Sequence, residues 1–215
     1  MESVVQSLPY LIEAATRTVM LSAVVIVIST AVGLVGGVVS VMFGTIAQAV
    51  VLALVYVLRG VPILVQLFLV YFGLPFFGIR VSPYVVAVIA ISLHMGALMT
   101  EVFRGSLLAL PRSQAEGGLA LGMTPLMLMR EVLLPQALRV ALPPYVSLIP
   151  VTVKATALAS VISIWELTLA SKEIANRTLD TFEVFGIAFV MYFVICYPFT
   201  WLGRRFERKR TAYVH

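Results

Sequence analysis

The stretch Thr18 to Leu58, TVMLSAVVIVISTAVGLVGGVVSVMFGTIAQAVVLALVYVL, runs for 41 residues without a charged side chain. About 20 predominantly apolar residues suffice for one helix to cross a bilayer, so this run is too long for one crossing and long enough for two. Phe43-Gly44-Thr45 is the best turn between them, which predicts a first span near 18–41 and a second near 48–72. Gly33, Gly36 and Gly37 lie toward the end of the first span and read as packing positions, where small residues let two helices approach closely. The fold class that follows is all-α and transmembrane.

The rest of the chain agrees with that class. Of 215 residues, 61% are hydrophobic and 12% charged, whereas soluble domains carry roughly a quarter charged residues. The single cysteine, Cys196, excludes an internal disulfide, and no Cys or His cluster has metal-ligand spacing, so no metal is expected. A net charge of +5 could suggest nucleic acid, but five of the fifteen basic residues sit in the last twelve positions, directly after an apolar span. That pattern is a topogenic flank at a membrane, and no nucleic-acid partner is expected. The start carries Glu2 and Glu13 and no basic residue before Arg17, unlike the basic head of a cleavable signal peptide, so the first span is expected to stay in the mature protein.

Beyond Leu58 the chain reads Arg59-Gly60-Val61-Pro62-Ile63-Leu64-Val65-Gln66. An arginine inside a membrane helix is costly and marks a pathway or binding site by default. Pro62 lacks an N–H and frees the carbonyl of Leu58, which predicts a kink beside Arg59, with Gln66 two turns on along the same face. Gly73, Pro75, Gly78 and Arg80 form the next loop, and a third span runs near 83–103 with His94 inside it as a hydrogen-bonded packing residue. Leu142-Pro143-Pro144 opens a fourth span near 143–164, with Lys154 about midway and Thr156 just after it. Glu166 to Glu183 mixes both charge signs and reads as a loop or short surface helix, with Trp165 as an interface anchor. A fifth span near 185–201 precedes Arg204, Arg205, Arg208, Lys209 and Arg210.

The segment 105–139 is different in kind. Within it, SQAEGGLALGMTPLMLMREVLLP (Ser113 to Pro135) carries Glu116, Arg130 and Glu131 between long uncharged stretches. Ser113 with Glu116 forms a capping-box pattern that starts a short helix at Gln114. Gly122 suits its left-handed end, Thr124-Pro125 suits the start of a second helix, and Pro135 closes that one. Placed on one side, Arg104, Arg112, Arg130 and Arg139 with the five of the tail make nine basic residues, against four on the other, Arg17, Arg80, Lys172 and Arg177. The positive-inside rule then puts loop and tail in the cytoplasm and the N-terminus outside, which five spans allow.

Glu116-Gly117-Gly118, then Gly122, then Leu134-Pro135 resemble the Glu-Ala-Ala loop of ABC-importer permeases. Arg59 to Phe68 resembles the Arg-Gly-Thr-Pro-Leu-Leu-Val-Gln-Leu-Phe motif of the polar amino-acid permeases in that superfamily, and Glu101-Val102-Phe103-Arg104-Gly105 resembles their Glu-Ile-Phe-Arg-Gly. The departures are glycines for both alanines, Val61 for the usual Thr, and Ala155 and Ala157 where Lys-Asp-Thr-Ser-Leu is usual. The resemblance implies a five-span type I (MetI-like) permease core of the bacterial or archaeal inner membrane, for a polar amino acid or similar small zwitterion. It implies a coupling site at Ser113, Ala115, Glu116, Gly117, Gly118 and Gly122, and a substrate pathway with Arg59 as carboxylate anchor beside Gln66, Lys154 and Thr156. It also implies an ATPase dimer that binds ATP and Mg, a second permease subunit and an extracytoplasmic solute-binding protein. The chain itself shows no Gly-x-x-x-x-Gly-Lys-Ser/Thr loop for ATP. An ion-coupled carrier or channel is the alternative class, and a compatible solute such as ectoine the alternative cargo. Carriers of that kind are expected to hold intramembrane carboxylates, and none falls near a predicted midplane here.

Overall fold

The computed structural model describes residues 7–211, with side chains to Phe206. Glu2, Ala212 and the side chains of Arg208, Lys209 and Arg210 lie outside what is described. Helix α1, Leu8–Met42, begins well before residue 18 and stops at the expected turn, where Gly44 takes φ 80°. The glycines of α1 seat it against α4, Pro83–Leu108. A Cβ added at Gly33 would lie 2.4 Å from Met99 Cβ, and one at Gly37 2.8 Å from Phe103 Cβ. From the other side, a Cβ at Gly96 would lie 2.7 Å from Val32 Cγ1. Any side chain at these positions would push the two backbones apart.

Residue numbers rise together along this contact, so α1 and α4 run parallel. Parallel helices start on the same side of the membrane, and the chain between them must cross back. That chain is two helices, α2 (Gly44–Gly60) and α3 (Ile63–Phe76), bent by 102° at their junction. The single kinked helix expected near 48–72 is therefore one crossing broken in two. The reason lies in Val61 and Pro62, both extended, with ψ 135° and 133°. Proline disfavours the helical region for the residue before it and lacks the N–H that continues the ladder, and with Val61 extended the helix stops and restarts instead of bending.

After α4 come α5 (Arg112–Ala120), α6 (Pro125–Leu128), a π-helical turn (Met129–Leu133) and α7 (Leu134–Thr156), which tightens into a 3-10 turn at Ala157–Ile162. Pro135 does not close a helix and Pro143-Pro144 do not open one. All three lie within α7, as does Pro150. The Leu134 N–H reaches back to the Met129 carbonyl, a wide turn that makes room for the Pro135 ring one residue later. Lys154 accordingly sits in the last turn of α7, not midway along a span.

Helix α7 runs antiparallel to α1, since Thr30 bonds Tyr145 and Ser22 bonds Thr156. The last helix, α9 (Thr181–Thr211), runs back along α7, with Gly203 against Ser147 and Cys196 near the Pro150 carbonyl. The directions alternate along these five passes, so Leu8 and Thr211 lie on opposite faces of the bundle. Between α7 and α9, the stretch expected as loop or surface helix is α8 (Leu167–Thr178), whose Leu167, Ala170, Ile174 and Ala175 are buried with Leu11 and Ala14 of α1. Trp165 is no free interface anchor. It donates its ring N–H to the Tyr10 hydroxyl at 2.9 Å and meets that ring edge-on.

Candidate functional site

Two features carry chemistry, the α5–α6 segment and the broken crossing. Helix α5 is entered from Pro111, with φ −59° and ψ 134° and no side-chain cap. The expected capping box is therefore not formed: the helix starts at Arg112, because the proline already presets an extended entry, and Ser113 and Glu116 are exposed helical residues. Its other end follows the sequence. Gly122 takes φ 79°, the Met123 N–H donates to the Gly118 carbonyl, and Thr124 Oγ1 accepts the Met127 N–H at 3.3 Å. The turn holds Leu121 84% exposed, Leu126 65% and Met127 50%. This apolar ridge, flanked by Arg112, Glu116, Arg130 and Glu131, suits docking against protein. Gln136 Nε2 donates to Gln114 Oε1 at 3.3 Å, and Ala115 is half-buried.

At the broken crossing, Arg59 occupies the last turn of α2, is exposed, and has no ion pair among the described residues. Gln66 does not share its helix face, since the 102° break lies between them. Its amide instead ties the break: Nε2 lies 2.6 Å from the Leu58 carbonyl, 2.8 Å from that of Val61, and 3.0 Å from His94 Nδ1. Two carbonyl acceptors, matching its two hydrogens, and a ring nitrogen whose role depends on the imidazole tautomer thus surround the amide nitrogen. Lys154 is exposed, as Arg59 is, and has no ion pair among the described residues. Thr156 is fully buried and bonds Ser22 Oγ at 3.1 Å and the Val153 carbonyl at 2.7 Å. It joins α7 to α1 and is not brought together with Arg59 or Gln66.

Residues 29–212 match the family described as binding-protein-dependent transport system inner membrane component. The chain belongs to that family. The permease is 35% identical over 205 residues, 94% of each chain, to the glutamine transport system permease protein GlnP of Escherichia coli (strain K12). It is 39% identical over 158 residues, 73% of this chain and 68% of the relative, to the L-cystine transport system permease protein TcyB of Bacillus subtilis (strain 168). A solved structure of an amino acid ABC transporter with histidines superposes with a TM-score of 0.86 at 32% identity, covering 96% of the permease and 97% of that chain. An inward-facing structure of the MetNI methionine ABC transporter, at 21% identity and a TM-score of 0.76 over 93% and 95% of the two chains, shares the fold. The resemblance to ABC-importer permeases stands, and the carrier or channel class is set aside.

One buried group of the permease escapes sequence reasoning. Glu166 is fully buried: it accepts the Leu169 N–H at 3.0 Å as cap of α8, and the hydroxyls of Tyr192 at 2.9 Å and Thr18 at 3.3 Å. No cation pairs with it among the described residues, and burial pushes its carboxyl above the ordinary carboxylate range. The carboxylate knots α1, α8 and α9 together. The available signal was an acid standing directly before a helical run, a position that favours caps.

Proposed function

We propose that the permease carries a polar amino acid or similar small zwitterion inward across the inner membrane of a bacterial or archaeal cell, with its N-terminus outside and its C-terminus in the cytoplasm. The cargo is delivered by an extracytoplasmic solute-binding protein. Energy comes from two ATPase subunits, which hold the ATP and Mg, acting through the Glu116 helix. A second permease subunit, identical or similar, completes the pathway.

The observation that carries this reading is Arg59, a cation exposed beside a broken crossing and unpaired among the described residues. Lipid is the wrong neighbour for such a group, so it faces water, cargo or the partner permease. An amino acid brings a carboxylate, and a guanidinium offers it two parallel donors. The names of the relatives support the cargo class, and the exposed ridge at Leu121 and Leu126 supports docking of the ATPases. Transport by the assembled complex in proteoliposomes, driven by ATP inside and loaded binding protein outside, tests it. Uptake of an amino acid that needs all three components is the expected result, and uptake without the ATPase would refute it.

A further inference from the structure

The two glycines that replace the family's alanines are not equivalent. A Cβ at Gly117 would meet nothing within 4 Å, whereas one at Gly118 would lie 2.5 Å from Leu128 Cδ1 and 3.3 Å from Met123 Sδ. Gly118 is the buried residue of α5, and Leu128 is only 5% exposed. Leu128 therefore fills the notch that the missing methyl leaves. Helix α5 packs on α6 and on the π-helical turn, so the notch is its buried bearing on the rest of the chain, beside the exposed Gln136–Gln114 hydrogen bond to α7.

The position of Leu128 gives the contact a direction. It is the last residue of α6, and the next residue, Met129, is buried in one cluster with Leu107 of α4 and Ala137 of α7, against which Val38, Val41 and Met42 of α1 pack. A displacement of α5 delivered at Leu128 thus passes within one residue to three membrane helices. The turn that follows is π-helical, a geometry found mostly as single-turn bulges and frequent at functional sites. Packed contacts of this kind shift between discrete arrangements and do not yield continuously.

We infer that the seat of Leu128 in the Gly118 notch is the contact through which movement of the Glu116 helix enters the membrane helices, with both as positioning residues for coupling. This rests on the coupling role proposed above for that helix. The test uses the permease assembled with its ATPase and binding protein in proteoliposomes, with assembled complex quantified and ATP hydrolysis measured with and without loaded binding protein. Gly118→Val should lower the ratio of stimulated to unstimulated hydrolysis roughly tenfold, as overpacking forces the seat open. Adding Leu128→Ala, which makes room for the new side chain, should bring the ratio back to within about threefold of the parent. A Gly118→Val complex whose ratio stays within about twofold of the parent overturns the inference, as does a loss that Leu128→Ala fails to repair. Should Gly118→Val not assemble, Leu128→Ala alone tests the same contact by emptying the notch, with a severalfold loss expected and an unaltered ratio counting against it. Glu116→Lys in parallel separates the two claims: full stimulation there removes the coupling role itself, whereas loss there with Gly118→Val unaffected removes only the notch.

Discussion

The side-chain amide of Gln66 lies 2.6 Å from the carbonyl of Leu58, the carbonyl that Pro62 leaves without a helical donor. A second contact, 2.8 Å to the Val61 carbonyl, holds the next freed group. The break is thus closed chemically by a residue from the helix that follows it.

Removing that amide should loosen the crossing. Gln66→Ala leaves two carbonyls short of donors, at about 1–3 kcal/mol for each that water cannot reach. Gln66→Glu should be worse, because a carboxylate sets an acceptor against acceptors. The expected order of thermal stability for the detergent-purified complex is parent, then Ala, then Glu. An unchanged melting temperature for both variants would remove Gln66 from the brace.

Glu116 is exposed and takes no part in capping its helix. Glu116→Lys should therefore insert and assemble at parental levels while abolishing the ATP hydrolysis stimulated by loaded binding protein. Transport at the parental rate by this variant would show that the exposed acid has no part in coupling.

Sidedness is open to a direct measurement. A reporter fused after Ala212 should mark the cytoplasm, and one inserted at Asn176, exposed on α8, the exterior. Five alternating crossings require opposite results from the two, and the same compartment for both would break the assignment.

Cargo charge follows from the exposed Arg59 and Lys154, neither of them ion-paired among the described residues. A cationic cargo would meet repulsion there, whereas a neutral zwitterion or an anion brings the missing carboxylate. Uptake should favour neutral and acidic amino acids over arginine and lysine. Arg59→Ala should lower it by about tenfold or more, with Arg59→Lys intermediate because it keeps the charge and loses the planar fork. Preference for the cationic pair, with a partner permease that lacks an intramembrane acid, is the outcome that defeats this.

What the residues disclosed in advance was local. Gly44 and Gly122 take positive φ and Thr124 caps its helix, since a turn or a cap is decided by the residue in it. Pro62 was legible as a defect, but a 102° bend also needs an extended Val61 and the amide of Gln66 across the gap. Pro135, Pro143 and Pro144 looked like helix ends. Membrane helices tolerate proline because neighbouring groups and wide turns take up the freed backbone, and the π turn before Pro135 does so here. The burial of Thr156 and Glu166 was illegible for another reason: whether a polar side chain is buried depends on a helix over a hundred residues away, and both are met by α1, through Ser22 and Thr18.

The parallel seat of α4 on α1 sets an order of assembly in time. The first crossing leaves the ribosome with Gly33, Gly36 and Gly37 open, and the residues that cover them, Met99, Thr100 and Phe103, arrive only after the broken crossing has been threaded. At a synthesis rate of about 5–20 residues per second, that interval is several seconds. During it the glycine groove of α1 is bare, and a nascent chain that stalls before Gly96 keeps that groove open to membrane quality control.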